Sequence, residues 1–197
     1  MLVSMRLSDK HSVPDDVALL YDFVNSMDLR QFVEDREAHQ PSDELATPAQ
    51  LQEWLRVHGL LERDVKVSQA EHSEALKLRD ALRTLLSAAP AERASATGPL
   101  DALAPRFPLV VTASQDRLLD VRPIQMRATS GLGKILVDLV RLSTSGALAR
   151  LKTCDSSECR WIFFDRSKPS NGRWCSSDRC GNRAKTRAYR NRQRFSA

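Results

Sequence analysis

The sequence predicts a mostly α-helical fold, in which a multihelical N-terminal domain precedes a small cysteine-rich module. Three observations support this prediction. Apolar residues recur at helical spacing through much of the first 145 positions, all four cysteines lie between positions 154 and 180, and basic residues crowd the C-terminal segment. The composition changes near Ser145 and Gly146, so we predict two domains, at 1–145 and 146–197.

Apolar faces and capping residues define the first helices of the N-terminal domain. Residues 15–26 carry an apolar helical face around a few polar side chains. A further helix should begin after Thr47, which can cap it, with Pro48 at the first helical position. Gly59 should end that helix, because glycine adopts the left-handed conformation that commonly follows a helix.

A third helix, a β-hairpin and a long helix complete the predicted domain. Ser68 opens a capping-box pattern, and the helix after it should end at Pro90. Residues 109–112 and 117–121 are two short β-prone runs around a turn, which predicts one small hairpin. Apolar residues then return to helical spacing from about 129 to 143.

The four cysteines form two pairs with the spacing of a metal site. Cys154 and Cys159 are separated by four residues, as are Cys175 and Cys180, and fifteen residues lie between the pairs. Two such loops can present four sulfurs to one tetrahedral Zn²⁺ ion. Since sulfur would fill every position on the metal, this zinc would be structural. Disulfides and free structural thiols are the alternatives, and a reducing compartment disfavours disulfides.

The elements around the cysteines follow the order of a treble-clef zinc finger. Residues 160–165 have the composition of a strand, 167–172 that of a turn, and Arg173 and Trp174 would form the returning strand. The second cysteine pair then opens a helix over about 177–194. A module of about 45 residues buries too little apolar surface to fold by itself, so the metal would supply the missing free energy.

Four aromatic residues accompany the cysteines, namely Trp161, Phe163, Phe164 and Trp174. They could stack on nucleic-acid bases. They could also form a small core that docks the module on the N-terminal domain. We favour the core interpretation, because large aromatic side chains in folded proteins are mostly buried.

Positive charge is concentrated at the C-terminal end. Residues 151–197 hold twelve basic and four acidic side chains, a formal charge of +8, whereas the first 150 residues hold 18 basic and 21 acidic side chains, or −3. A near-neutral domain followed by a strongly basic segment indicates a polyanionic partner, and nucleic acid is the usual one.

The basic residues follow helical spacing after the last cysteine pair. Five arginines, beginning at Arg179 and ending at Arg194, are spaced by four, four, three and four residues, which places them on one helix face. The planar guanidinium suits phosphate and guanine edges. A solvated basic tail without a partner is the alternative. The candidate DNA-binding residues are Arg179, Asn182, Arg183, Lys185, Arg187, Arg190, Arg192 and Arg194.

The remaining polar residues give no catalytic constellation. The four histidines are scattered in sequence, and there is no glycine-rich phosphate loop, so we expect the protein not to be an enzyme. Asp22 and Asn25 lie among apolar residues. A buried polar network or a helix-end contact is the favoured interpretation, and part of a small-ligand pocket is the alternative.

The sequence also bears on the compartment. No stretch approaches the ~18 uninterrupted apolar residues that a membrane span needs. The first ten residues lack the apolar run of a signal peptide. We therefore expect a cytoplasmic protein with no membrane partner.

The cysteine-rich segment resembles the CGNR zinc-finger family, and the preceding domain is similar to the ABATE domain of bacterial stress-induced transcription regulators. The finger residues that match are Leu151 to Cys154, Cys159 to Phe163, Arg173 to Ser176, Cys180 to Lys185 and Arg187 to Arg190. In the N-terminal domain they are Leu20 to Ser26, Leu51 to Leu55, Gly59 and Leu60. The resemblance covers nearly the whole chain. It implies a treble-clef finger with a DNA-binding role, and it makes ligand binding by the N-terminal domain an expectation.

These observations predict a DNA-binding transcription regulator. One structural Zn²⁺ would position the arginine-rich helix on double-stranded DNA. When bound to DNA, the protein would be associated with the nucleoid. The N-terminal domain would sense a small-molecule effector or form a homodimer, because one small finger contacts only a short stretch of duplex. An RNA-binding protein is one alternative. A small-molecule sensor that uses the finger as a protein-interaction module is the other.

Overall fold

The structure is a computed structural model that describes residues 6–34, 37–62, 64–113, 118–124 and 128–195. It confirms a mostly helical fold with small antiparallel strand pairs. The α-helices are α1 (Leu7–Lys10), α2 (Asp15–Asn25), α3 (Pro48–Val57), α4 (Gln69–Ser87), α5 (Gly98–Leu103), α6 (Ala128–Thr144) and α7 (Asn182–Phe195). The strands are β1 (Met27–Asp28), β2 (Val33–Glu34), β3 (Glu37–Ala38), β4 (Ser42–Asp43), β5 (Leu109–Thr112), β6 (Asp120–Pro123), β7 (Leu151–Thr153) and β8 (Ile162–Phe164).

Helix α2 lies at the centre of the fold. It packs against α1, α4, α6 and β8, and its side chains Leu20, Phe23 and Val24 are fully buried. A helix that contacts neighbours on several sides must carry apolar residues around most of its circumference, and α2 does. This position makes α2 the link between the N-terminal helices and the cysteine-rich segment.

The predicted helix caps are confirmed. The side chain of Thr47 accepts a hydrogen bond from the backbone N–H of Gln50, and Pro48 opens α3. Ser68 and Glu71 form the complete capping box of α4. After α3, Gly59 has a φ of +67°, the left-handed conformation that a helix terminator needs.

The hairpin forms, but its second strand lies further along the chain than predicted. β5 pairs with β6, with Leu109 opposite Pro123 and Thr112 opposite Asp120. The hairpin packs closely on α6, because a Cβ atom at Gly133 would lie 3.2 Å from the ring of Pro123 and 3.4 Å from Leu109. We attribute the shift to this contact with a neighbouring helix, which local sequence does not reveal. The predicted turn at 113–116 and the first residue of the predicted second strand, 117, lie outside the described residues, except for Ala113.

The strand pairing in the C-terminal segment also differs from the prediction. β8 lies within the predicted strand at 160–165, but it pairs antiparallel with β7, which precedes the first cysteine, and Arg173 and Trp174 form no strand. The backbone N–H of Asp155 donates to the carbonyl of Arg173 at 2.9 Å, which is a single hydrogen bond between the two cysteine loops and not a strand pairing. The predicted returning strand is therefore wrong, because the residues that pair with β8 come from upstream.

A continuous core joins the two predicted domains. Leu151 and Ile162, on β7 and β8, are fully buried in the same cluster as Leu20 and Leu82. The boundary near residue 145 stays a prediction about domain organisation, but the two parts pack together. Among the described helices, none is both long and apolar enough to cross a membrane.

Candidate metal centre and nucleic-acid interface

The four cysteines converge on one point. Their Sγ atoms all lie within 4.8 Å of one another, with 3.6 Å between Cys159 and Cys175 and 3.7 Å between Cys175 and Cys180. A tetrahedron of sulfurs around Zn²⁺, with bonds of ~2.3 Å, has edges of about 3.8 Å. The thiols are unbridged, which excludes the disulfide alternative in this structure. The donor set fits one structural Zn²⁺ held by Cys154, Cys159, Cys175 and Cys180.

Local backbone hydrogen bonds place each cysteine pair. The N–H of Cys154 donates to the carbonyl of Trp161 at 2.8 Å, and the N–H of Cys159 donates to that of Ser156 at 2.9 Å. These bonds close the first loop just after β7. Cys180 lies in a π-helical turn, Ser177–Gly181, that leads directly into α7. The last metal ligand, Cys180, therefore lies in the turn from which the basic helix α7 starts.

Four thiolates this close together would repel one another. Hydrogen bonds with Cys159 and Cys175 lower the pKa of the Cys154 thiol well below its usual value. The bond with Cys154 raises the pKa of Cys159 to about 12, and burial raises the pKa of Cys180. One thiolate thus suppresses ionisation of its neighbours. A divalent cation would remove that repulsion and allow all four sulfurs to bind as thiolates.

The aromatic residues of the finger dock it on the N-terminal domain, as the core interpretation predicted. The exposed fraction is 4% for Trp161 and 8% for Phe163, while Phe164 and Trp174 are half-buried. The indole N–H of Trp161 donates to the hydroxyl of Tyr21 at 2.9 Å, and burial raises the pKa of that hydroxyl. The indole N–H of Trp161 is therefore paired across the contact, with the hydroxyl oxygen of Tyr21 as its acceptor.

The two polar residues flagged on α2 have separate partners. The side-chain amide of Asn25 bonds both backbone groups of Ile162. The carboxylate of Asp22 accepts from the N–H of Ser8 at 2.6 Å and from its hydroxyl at 2.8 Å. Asp22 also borders a cavity of about 240 Å³ beside His58. A shared ligand pocket formed by Asp22 and Asn25 stays a prediction.

The basic helix is mostly exposed. The side chains of Arg179, Asn182, Lys185, Arg187, Arg190 and Arg192 are exposed, and that of Arg194 lies outside the described residues. Arg183 is half-buried, because its guanidinium lies 4.1 Å from the centre of the Phe32 ring. Arg187 forms an ion pair with Glu158 at 2.6 Å. The predicted arginine face of α7 therefore contacts the rest of the protein at Arg183 and Arg187.

Sequence reasoning missed a carboxylate that organises the loop between the cysteine pairs. Asp165, 4% exposed, accepts from the ammonium of Lys152 at 2.7 Å and from the N–H groups of Ser167 and Gly172. Burial alone would raise its pKa, but these bonds hold the pKa well below its usual value. A Cβ atom at Gly172 would come within 2.9 Å of this carboxylate. In the sequence, only the turn predicted at 167–172, which includes Asn171 and Gly172, indicated this arrangement.

The fold and the site together define a zinc-finger protein with a helical N-terminal domain. The sequence matches the family described as "Putative stress-induced transcription regulator" (ABATE) over residues 17–146, and the CGNR zinc finger over residues 150–193. The ABATE match covers about two thirds of the chain, so the protein belongs to this family and carries a CGNR zinc finger. None of the curated proteins with which the sequence was compared matches it.

Proposed function

We propose that this protein is a non-enzymatic transcription regulator that binds double-stranded DNA through α7. The observation that supports the proposal most directly is the position of Cys180. It converges with the other three thiols, and it lies in the turn that leads into α7. A zinc ion at this point fixes the start of the helix, while Lys185 and Arg190 remain exposed along it.

The dimensions of α7 suit a DNA groove. The helix has 14 residues, hence a length of about 21 Å, and the major groove of B-DNA admits an α-helix. Phosphate contacts from arginine and lysine would hold the helix in place, and exposed Asn182 could read an adenine edge. The major groove of an RNA duplex is too narrow for this geometry, which favours DNA over the RNA alternative.

The test is fluorescence anisotropy with a labelled pool of random DNA duplexes at increasing salt concentration. We expect the logarithm of the binding constant to fall linearly with the logarithm of salt concentration, with a slope of roughly −0.9 for each phosphate contacted. A matched pool of structured RNA is the control. Tighter binding to RNA would support the RNA alternative, and salt-independent binding to either pool would contradict the proposed surface.

We propose further that the protein acts as a homodimer and responds to a small effector. A single helix reads few base pairs, so two copies would provide useful specificity. Val111, Leu118 and Leu119 around the hairpin are 62%, 87% and 66% exposed, which supports a second copy as the partner that covers them. Light scattering of the protein with and without a Val111→Lys substitution tests the dimer. A monomeric wild-type protein, alone and on DNA, would remove this part of the proposal.

A further inference from the structure

A cleft lies between the N-terminal domain and the finger, and the metal centre does not account for it. Its volume is about 610 Å³, within the range of roughly 300 to 1,000 Å³ typical of small-molecule sites. Three of the four cysteines border it. A zinc ion held at ~2.3 Å by four sulfurs would fill only a small part of this space. The remaining volume is large enough for a ligand with one or two rings.

Aromatic residues make up much of the lining of the cleft. They are Tyr21, Phe32, Trp161, Phe163, Phe164 and Trp174. Trp161 and Tyr21 meet edge to face, with planes at 75° and centroids 6.3 Å apart, and the indole N–H of Trp161 is bonded to Tyr21. Trp161 and Tyr21 are only 4% and 1% exposed, and the guanidinium of Arg30 lies 4.4 Å from the centre of the Trp161 ring. The half-buried rings of Phe164 and Trp174 therefore offer the accessible apolar surface. Such a wall favours a planar aromatic ligand.

The other lining side chains are mainly cationic. The charged ones are the cations Lys10, Arg30, Arg166 and Arg179 and one carboxylate, that of Asp165, and the imidazole of His11 lies among them. Lys152, which lies outside the lining, neutralises Asp165. Asp28, also outside the lining, pairs with Arg30 at 2.5 Å. With Arg30 and Asp165 paired in this way, the charges of Lys10, Arg166 and Arg179 are set against the net charge of about −2 of a zinc ion bound by four thiolates, and their sum remains positive.

Lys10 and Arg166 are brought to the same edge of the cleft. The guanidinium of Arg166, from the finger, donates to the carbonyl oxygens of His11 and Ser12, which follow Lys10 directly in the N-terminal domain. The electrostatics around His11 agree with this geometry. Burial, and then the charges of Lys10, Arg30, Arg166 and Arg179, lower the pKa of its imidazole. Several cations therefore converge beside the aromatic wall.

We propose that this cleft is a binding site for a small aromatic carboxylate. The ring would pack on Phe164 and Trp174, and the carboxylate would lie between Lys10 and Arg166. Because Lys10 belongs to the N-terminal domain and the other three residues belong to the finger, the ligand would bridge the two. The proposal concerns binding alone, so it stands or falls independently of DNA binding by α7.

The first experiment is isothermal titration calorimetry of the full, zinc-loaded chain with benzoate, indole-3-carboxylate and 1-naphthoate. At least one should bind at a single site per chain, and its neutral amide should bind about ten-fold more weakly, because the amide loses the charge-assisted contacts. The variant Lys10→Gln should weaken the acid by a similar factor. Lys77→Gln, which changes an exposed lysine on α4, should not alter it.

The second experiment locates the ligand. The protein has three tryptophans, so its indole N–H signals in a ¹⁵N correlation spectrum report separate places. The signals of Trp161 and Trp174 should shift with the acid, while that of Trp54, beside the cavity that includes Asp22, should not. Three results would each overturn the proposal: no binding of any acid at about 1 mM, equal binding of acid and amide, or a shift confined to Trp54.

Discussion

The side-chain amide of Asn25 pairs with the backbone of Ile162 as a neighbouring strand would. Its Nδ2 donates to the carbonyl at 2.8 Å, and its Oδ1 accepts from the N–H at 3.0 Å, although the residues are 137 positions apart in sequence. Both residues are buried, so neither bond can be replaced by water. This contact fixes the edge of β8, and hence the finger, on the end of α2.

Asn25→Asp should therefore destabilise the protein. The substitution keeps the shape but replaces the donor by a carboxylate facing the carbonyl of Ile162, and we expect the free energy of unfolding to fall by about 2 to 3 kcal/mol. Urea denaturation measures the change. Asn171→Asp, the same substitution at an exposed turn, should change it by less than about 0.5 kcal/mol. Equal effects at both positions would show that the pairing contributes no stability.

Cys175→Ser should abolish zinc binding and unfold the finger. Cys175 lies 3.6 Å and 3.7 Å from two other sulfurs, so its loss opens the tetrahedron. Structural zinc sites supply roughly 10 to 16 kcal/mol to small modules. Elemental analysis should find well under one zinc per chain, and circular dichroism should show lost helix. Ser156→Ala, beside the ligands, should retain one zinc. A Cys175→Ser protein with full zinc content would contradict the metal assignment.

The structure shows why some features could be predicted from sequence and others could not. Caps such as Thr47 and Ser68, and the spacing of the cysteines, are local patterns, and the structure confirms them. The partner of β8 and the register of β6 depend on contacts with distant segments. The sequence carried no local sign of either.

The same distinction applies to the candidate site. The four metal ligands followed from spacing alone. The stacking of Arg183 on Phe32 could not be foreseen, because it depends on how the finger docks on the loop after α2. The ligand cleft was missed for the same reason, since residues such as Lys10 and Arg166 meet only in three dimensions.

The buried ion pair between Arg79 and Asp43 should make stability depend on acidity. Arg79 is 2% exposed, and its guanidinium contacts both carboxylate oxygens, at 2.6 and 2.7 Å. Burial alone would raise the pKa of Asp43, but the bonds from Arg79 lower it below its ordinary value. The stabilisation is therefore present at pH above ~4 and lost as pH falls through the folded-state pKa.

Replacing Asp43 by Asn should expose this dependence. At neutral pH the variant leaves a buried guanidinium without its counter-ion, and we expect a loss of about 3 kcal/mol in the free energy of unfolding. The difference from wild type should shrink as the pH is lowered below about 4. Glu74→Gln, which removes an exposed pair with Arg106, serves as control and should cost less than about 1 kcal/mol. A difference that stays constant with pH would contradict the assignment.

Arg190→Gln should weaken DNA binding without changing the fold. Arg190 is exposed on α7, beyond the turn that carries Cys180. Loss of one phosphate contact should reduce the slope of the salt dependence by about 1. Arg106→Gln is the matched control, because it removes an exposed arginine outside α7. Anisotropy titrations at several salt concentrations measure both variants. Equal effects would show that net charge, and not the surface of α7, determines binding.

Glu158→Gln should have the opposite effect on DNA binding. Its carboxylate pairs with Arg187 at 2.6 Å, but both side chains are exposed, so the pair contributes little to stability. Removing its negative charge should leave Arg187 available to phosphate, and we expect affinity for duplex DNA to rise about three-fold at low salt. The melting temperature should be nearly unchanged. Glu92→Gln, which changes an exposed acid on the 3-10 helix Pro90–Ala96, removes the same charge far from α7 in sequence. If Glu92→Gln raised the affinity as much as Glu158→Gln, the pairing with Arg187 would not restrain the helix.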